Sequence, residues 1–197
     1  THSLPWLIAR SLILSTFLFV AGFSIALAQH QSVKKRCLRL MRIAGCALLV
    51  SIGSYFMFPD SWIYFGVLHF MLLACMVCWF LFGHEKGILP LGLATLGFGF
   101  FYQSATFNQP MLQWLGMMTF KPITEDYVPI LPWIGIMLSG LYVGLLLLRR
   151  PHSQFLATKP PATLKPIGWL GRHSLAIYML HQPILLGFLL AYGAIFR

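Results

Sequence analysis

Six apolar runs, at about 5–28, 43–58, 62–82, 87–103, 129–148 and 174–196, fill most of this chain and leave short polar segments between them. Most reach or approach the ~20 residues that carry an α-helix across ~30 Å of hydrocarbon. A run placed in lipid must satisfy its own backbone N–H and C=O groups, and a helix does so. Composition points the same way. Of 197 residues, 58% are hydrophobic and 9% charged, against ~25% charged in a soluble domain. The mean hydropathy is +0.78. So few charges cannot cover a globule, and lipid must be the main solvent. The expected fold is all-α: a polytopic membrane helix bundle of about six spans, in one domain over residues 1–197.

Charge placement orients the bundle. The segments 29–42, 83–86 and 149–173 hold eleven of the fourteen Lys and Arg residues. The alternate segments carry Asp60, Glu125 and Asp126 with Lys121 as their one basic residue. The positive-inside rule assigns the first set to the cytoplasm and the second to the outside. Trp6, Trp62 and Trp133 then mark outer ends of spans, and Trp79 and Trp169 inner ends, as an aromatic belt does. The net charge of +10 is thereby assigned to topology or anionic lipid, not to nucleic acid. The expected location is the cell inner membrane. With both ends outside and no basic start, a preceding helix is expected before Thr1. Ala26-Leu27-Ala28 resembles a signal-peptidase site, but the run before it is too long and contains Arg10, so it reads as a retained span.

Other features shape the bundle. Gly140 and Gly144 form a GxxxG in the fifth span, which lets helices approach closely, and Gly92, Gly97 and Gly99 are expected to do the same in the fourth. Cys75 and Cys78 form a CxxC, but no second pair or nearby histidines complete a metal site. They read as small apolar residues, and no metal is expected. The outer segment 104–128 contains Met, Leu, Trp and Phe over Pro110–Phe120. It is expected to lie in the interface or re-enter the bundle, as a lid over an outward-facing site. Residues 151–166, with Pro160, Pro161 and Pro166, read as an extended linker.

Titratable groups within spans are costly and so become functional candidates. His69 lies seven residues into the third span from outside, and His181 about as deep in the last span from the cytoplasm. Arg10 sits near the outer end of the first span, and Arg172, beside His173, at the inner mouth of the last. Each has a plainer role open to it: hydrogen bonding across helices for His69, snorkelling for Arg10, topology for Arg172. His181 is followed by Gln182 and Pro183, and proline is expected to open the backbone around it. Asp126 precedes the fifth span, where it caps that helix or orients a histidine or an acceptor amine. On the bare sequence His2 is an unremarkable terminal residue, and His30, His84 and His152 fall in cytoplasmic segments.

Three stretches resemble a known family in succession: Phe65-Gly66-Val67-Leu68-His69, then Asp126-Tyr127-Val128-Pro129-Ile130-Leu131-Pro132-Trp133-Ile134-Gly135, then Gly171-Arg172-His173-Ser174-Leu175-Ala176-Ile177-Tyr178-Met179-Leu180-His181-Gln182-Pro183. They are similar to bacterial members of the heparan-alpha-glucosaminide N-acetyltransferase-like family. Phe17-Leu18-Phe19-Val20-Ala21-Gly22-Phe23-Ser24 resembles that family's second helix. The resemblance implies transfer of an acetyl group from cytoplasmic acetyl-CoA to an amino sugar on the far side. It places His2 near a histidine implicated in transfer and matches His181 to the histidine of the last conserved helix. The family's first helix, with its acidic residue and Arg-Gly pair, has no counterpart in this sequence.

The leading expectation is therefore acyl transfer. A histidine would act as general base or carry the acetyl group, with His181 near the thioester and His2 or His69, with Asp126, near the acceptor. Arg172, His173, Arg149 and Arg150 would attract the phosphates of acetyl-CoA, the donor substrate. Expected partners are membrane lipids, a saccharide or amine acceptor and, as an open alternative, a second copy in a homo-oligomer. Two rivals stand beside this. One is a proton-coupled transporter or flippase using the histidines as a relay, although no inverted repeat is visible. The other is an assembly subunit without chemistry.

Overall fold

A computed structural model describes residues 4–149, 163 and 165–195. The chain divides into two units, residues 1–153 and 154–197. The described residues of the first form five helices: α1 (Leu4–Leu27), α2 (Val33–Met57), α3 (Val67–Phe80), α4 (Glu85–Phe101) and α5 (Trp133–Leu148). The second contains α6 (Lys165–Arg172) and α7 (Ser174–Ile195). No strand occurs among the described residues. The linker expected over 151–166 falls mostly outside them.

Local chemistry explains most helix limits. Pro5 is accommodated in the first turn of α1, where its missing N–H would be unpaired anyway. Pro59 stops α2 by excluding the residue before it from helical geometry. Glu85 stands in the first turn of α4, where the helix dipole favours an anion.

Three runs differ from their expected limits. The basic cluster Lys34–Arg42 is not a loop but the first turns of α2, because Lys, Arg and Leu are strong helix formers. The 62–82 run yields only 14 helical residues. Its first residues are engaged in hydrogen bonds to α2, and its last close as a turn at Gly83. The 129–148 run yields 16, since Pro129 and Pro132 interrupt its first turn.

Helices α1 and α2 are long and apolar enough to cross a membrane. At 1.5 Å per residue, α3 and α5 are ~21 Å and ~24 Å long. The exposed sides of the long helices are themselves apolar. Leu12, Ile13 and Phe17 on α1, and Leu48, Ile52 and Phe56 on α2, face outward. Such surfaces suit lipid and would be unfavourable in water.

Close packing of α1, α4 and α5 builds the core. A Cβ added to Gly22 would overlap the Met137 carbonyl, and one added to Gly140 would overlap that of Phe19. Gly144 meets Ala26 in the same way, at 2.6 Å. The GxxxG of α5 thus lies directly on α1, with Gly22 answering it from the other helix. On α4, Gly92 and Gly99 pack against α5 and its lead-in, but Gly97 has open space beside it. Five residues from Gly92, it points to another side of the helix. Leu18, Ile25, Ile88, Met137, Leu138 and Leu141 fill the interior. Cys75 and Cys78 join this core as buried free thiols.

In the second unit, α7 runs through Pro183 as one helix. The helix assignment continues on both sides of the proline expected to open its backbone.

Candidate functional site

The approach to α3 gathers a connected set of side-chain hydrogen bonds. Ser51 and Ser54 lie one turn apart on α2 and serve both backbone groups of Ile63. The Ile63 N–H donates to Ser54 Oγ at 2.9 Å, and Ser51 Oγ donates to the Ile63 carbonyl at 2.7 Å. Ser54 Oγ donates in turn to the Ser51 carbonyl at 3.0 Å. The chain is thereby tied to α2 before it turns into α3.

His69, in the first turn of α3, is fixed by the same groups. The Gly66 N–H donates to His69 Nδ1 at 3.3 Å, and Ser51 Oγ lies 3.2 Å from Nε2. Since Nδ1 accepts and the Ser51 hydroxyl proton is already given to Ile63, Nε2 must carry the ring proton. His69 is then a neutral Nε2–H imidazole donating to Ser51. It reaches back to the N-cap amide as a Glu or Gln does in a capping box. This rules out a nucleophilic Ser51 with His69 as its base in this arrangement, because the proton runs from histidine to serine. Phe65 lies against the ring, with centroids 5.8 Å apart.

Asp126 reaches the same turn from the far end of segment 104–128. Its Oδ2 accepts from the Val67 N–H at 2.8 Å. The expectation that Asp126 caps the fifth span is thus corrected: it caps the third. A carboxylate there satisfies an orphan amide and meets the positive end of the helix dipole. Gly66 makes this possible, since any Cβ at that position would overlap the Asp126 carboxylate. Helix geometry and the loop therefore bring His69 and Asp126 together.

Residues 104–128 fold as an ordered cap rather than a free loop. Two short 3-10 turns, Ala105–Asn108 and Gln113–Leu115, are joined through Gln113. The Tyr64 hydroxyl donates to Gln113 Oε1 and that of Tyr127 to the Gln113 carbonyl, both at 2.6 Å. Gln113 Nε2 donates to the Asn108 carbonyl at 2.9 Å, and Asn108 Nδ2 to Thr119 Oγ1 at 2.9 Å. Burial first, and Tyr64 second, push the Tyr127 hydroxyl above its usual range. Ser61 and Trp62 also bind Glu125 and Thr124 of the cap. Segment 104–128, the expected lid, is thus tied down by hydrogen bonds to the approach to α3.

The other named residues lie elsewhere. Arg149 pairs with Glu85, so part of its charge is already answered. Arg36, from the basic cluster, stands over the rings of Trp79 and Phe82 at 5.8 and 5.0 Å. In the second unit, His173 Nδ1 bonds the Trp169 carbonyl at 2.9 Å and packs on its ring. Exposed His181 places Nδ1 against the Tyr178 carbonyl. A nitrogen facing a carbonyl must donate, so the basic lone pair of a neutral His181 is on Nε2. The two candidate histidines thus hold opposite tautomers. His2 and Arg150 lie outside the described residues, and Arg172 is described as part of α6 only. Among the described residues no three His, Cys, Asp or Glu groups converge as metal ligands.

Sequence reading passed over Ser51, Ser54, Tyr64 and Gln113, and met Gly66 only as part of a family stretch. The two serines carry a signal, as polar residues three apart in an otherwise apolar run. Gln113 is likewise a lone amide within an apolar stretch.

No curated protein and no solved structure matches the chain. The family model described as heparan-alpha-glucosaminide N-acetyltransferase, catalytic, matches residues 1–183. That match takes in both units, the capped turn at His69 and the helix bearing His181. This membrane protein belongs to the heparan-alpha-glucosaminide N-acetyltransferase catalytic family, a family of acetyltransferases.

Proposed function

We propose that the chain is a six-span inner-membrane transferase that moves an acetyl group from cytoplasmic acetyl-CoA to an amino sugar or related envelope acceptor outside. The observation that carries this reading is the family match over residues 1–183. In the reaction the acceptor nitrogen attacks the thioester carbonyl, its proton passes to a base, and the CoA thiolate leaves. His181 suits the base role because its free lone pair lies on Nε2 of an exposed ring. His69 and Asp126 suit a positioning role at the outer side, since both are held at the first turn of α3. His2 is retained as the second histidine of the reading, near the acceptor. Arg172, His173, Arg149 and Arg150 favour the donor's phosphates.

The test uses the full chain in proteoliposomes, with labelled acetyl-CoA on one side and glucosamine on the other. Label is expected on the sugar, and His181→Ala is expected to reduce its appearance by at least ~100-fold, within the range of general acid–base contributions. Absence of transfer and of bound CoA, with His181→Ala equal to wild type, rejects the reading. Proton-coupled sugar uptake without acetyl-CoA would favour the transporter instead.

A further inference from the structure

The outer end of the first unit contains a depression that the chemistry above does not use. Arg10 and Ser11 of α1, Lys121 and Tyr127 of the cap segment, and Trp133 of α5 line a cleft of about 250 Å³. A second depression of about 260 Å³, bordered by Gln103 and Thr119, shares Lys121 and Tyr127 with it. Each is somewhat smaller than the ~300 Å³ of an ordinary small-molecule site and is of a size for a small charged group.

Its charge is one-sided. Arg10 and Lys121 are both exposed and come from separate elements, yet they border the same cleft. Neither forms an ion pair among the described residues. The nearby acids are used elsewhere: Asp126 caps α3 and Glu125 accepts from Ser61. Snorkelling accounts for Arg10 alone, but not for a lysine brought to the same wall from a loop. Two like charges sharing a small cleft repel, and a bound anion relieves that repulsion. Arg offers a planar fork suited to an oxyanion, and Lys adds a point charge. Tyr127, whose hydroxyl is held by Gln113, and Trp133 supply aromatic walls.

We infer that Arg10 and Lys121 form an oxyanion-binding trough for the outer acceptor, selecting a saccharide that carries a phosphate or carboxylate. The acceptor role rests on the transferase reading; the binding of an anion does not. The experiment is equilibrium binding to the full chain in phosphatidylcholine nanodiscs, without acetyl-CoA, using glucosamine and glucosamine 6-phosphate as probes. The phosphate is expected to tighten binding at least ~10-fold, the scale of a charge-assisted hydrogen bond. Arg10→Gln and Lys121→Gln should bring the ratio of affinities close to one, whereas Arg10→Lys should keep most of it. Equal affinity of both sugars for wild type, or a ratio that neither glutamine variant changes, overturns the inference. Repeating the titration with phosphatidylglycerol separates the source of the oxyanion. If that lipid abolishes the preference and stays bound to wild type but not to Arg10→Gln, a headgroup occupies the trough and the acceptor assignment falls. Failure of the transferase reading looks different: the charged sugar binds, but no label moves.

Discussion

Gly66 and Asp126 should behave as one energetic unit. Asp126→Ala removes the carboxylate that accepts from Val67 N–H at 2.8 Å. Loss of a helix cap costs ~1 kcal/mol, and loss of an anion from a helix N-terminus ~0.3–1 kcal/mol. A partly buried site lies toward the upper end, so ~2 kcal/mol is expected. Asp126→Asn keeps an acceptor and should lose ~0.5–1 kcal/mol. Gly66→Ala acts on the same bond from the other side. The Gly66 backbone is extended, with φ −100° and ψ −171°, so alanine meets no backbone strain. Its methyl would instead displace the carboxylate and press on Ile63 Cγ2, which is 2.8 Å away. Gly66→Ala should therefore also cost ~2 kcal/mol, most of it from the same lost cap. The double variant should then lose little more than either single one, giving a coupling of ~1.5 kcal/mol. Unfolding free energies of the four proteins, from denaturing-detergent titration in mixed micelles, complete the cycle. Costs that add within ~0.5 kcal/mol would refute the shared-bond reasoning.

The remaining expectations concern packing and the cap. Gly140→Ala should destabilise by ~2 kcal/mol or more, because its methyl meets the Phe19 backbone, whereas Gly97→Ala should be neutral or slightly stabilising; equal effects in the same titration would contradict the placement of α1 on α5. Tyr127 gives a pH dependence. Its folded hydroxyl holds its proton above the ordinary value of 10.0, so above pH 10 the unfolded chain binds fewer protons and stability falls as pH rises. Tyr127→Phe should start ~1 kcal/mol lower but decline less steeply above pH 10. Parallel profiles, read from protease resistance of residues 104–128, would remove Tyr127 from this account.

The long-range organisation of the chain was legible wherever it rests on repeating local chemistry. Apolar runs located the helices of the first unit, and the GxxxG at Gly140 and Gly144 marked a close contact whose partner, Gly22, lies on α1. Glycine spacing could not tell which glycines face a neighbour, and Gly97 shows the difference. The approach to α3 was harder to read. Residues 62–66 are apolar enough to continue a helix, but Ser51 and Ser54 capture the backbone of Ile63 and keep it out of one. Hydrophobic periodicity does not report such side-chain to backbone bonds. For the same reason Asp126 was assigned to the helix beside it in sequence, while the amide it binds lies 59 positions away. His69 was identified by its cost in a span; its tautomer required the positions of Gly66 and Ser51.

That separation affects how the protein is made. A chain emerges from synthesis N-terminus first, so α3 is formed well before its capping carboxylate exists. Until residue 126 has been added, the Val67 amide has no Asp126 to accept from it, and the first turn of α3 must be held by His69 and water. The cap and the lead-in to α5 then arrive as one segment. Completion of α3 is in this sense a late event, one that waits on the segment following α4.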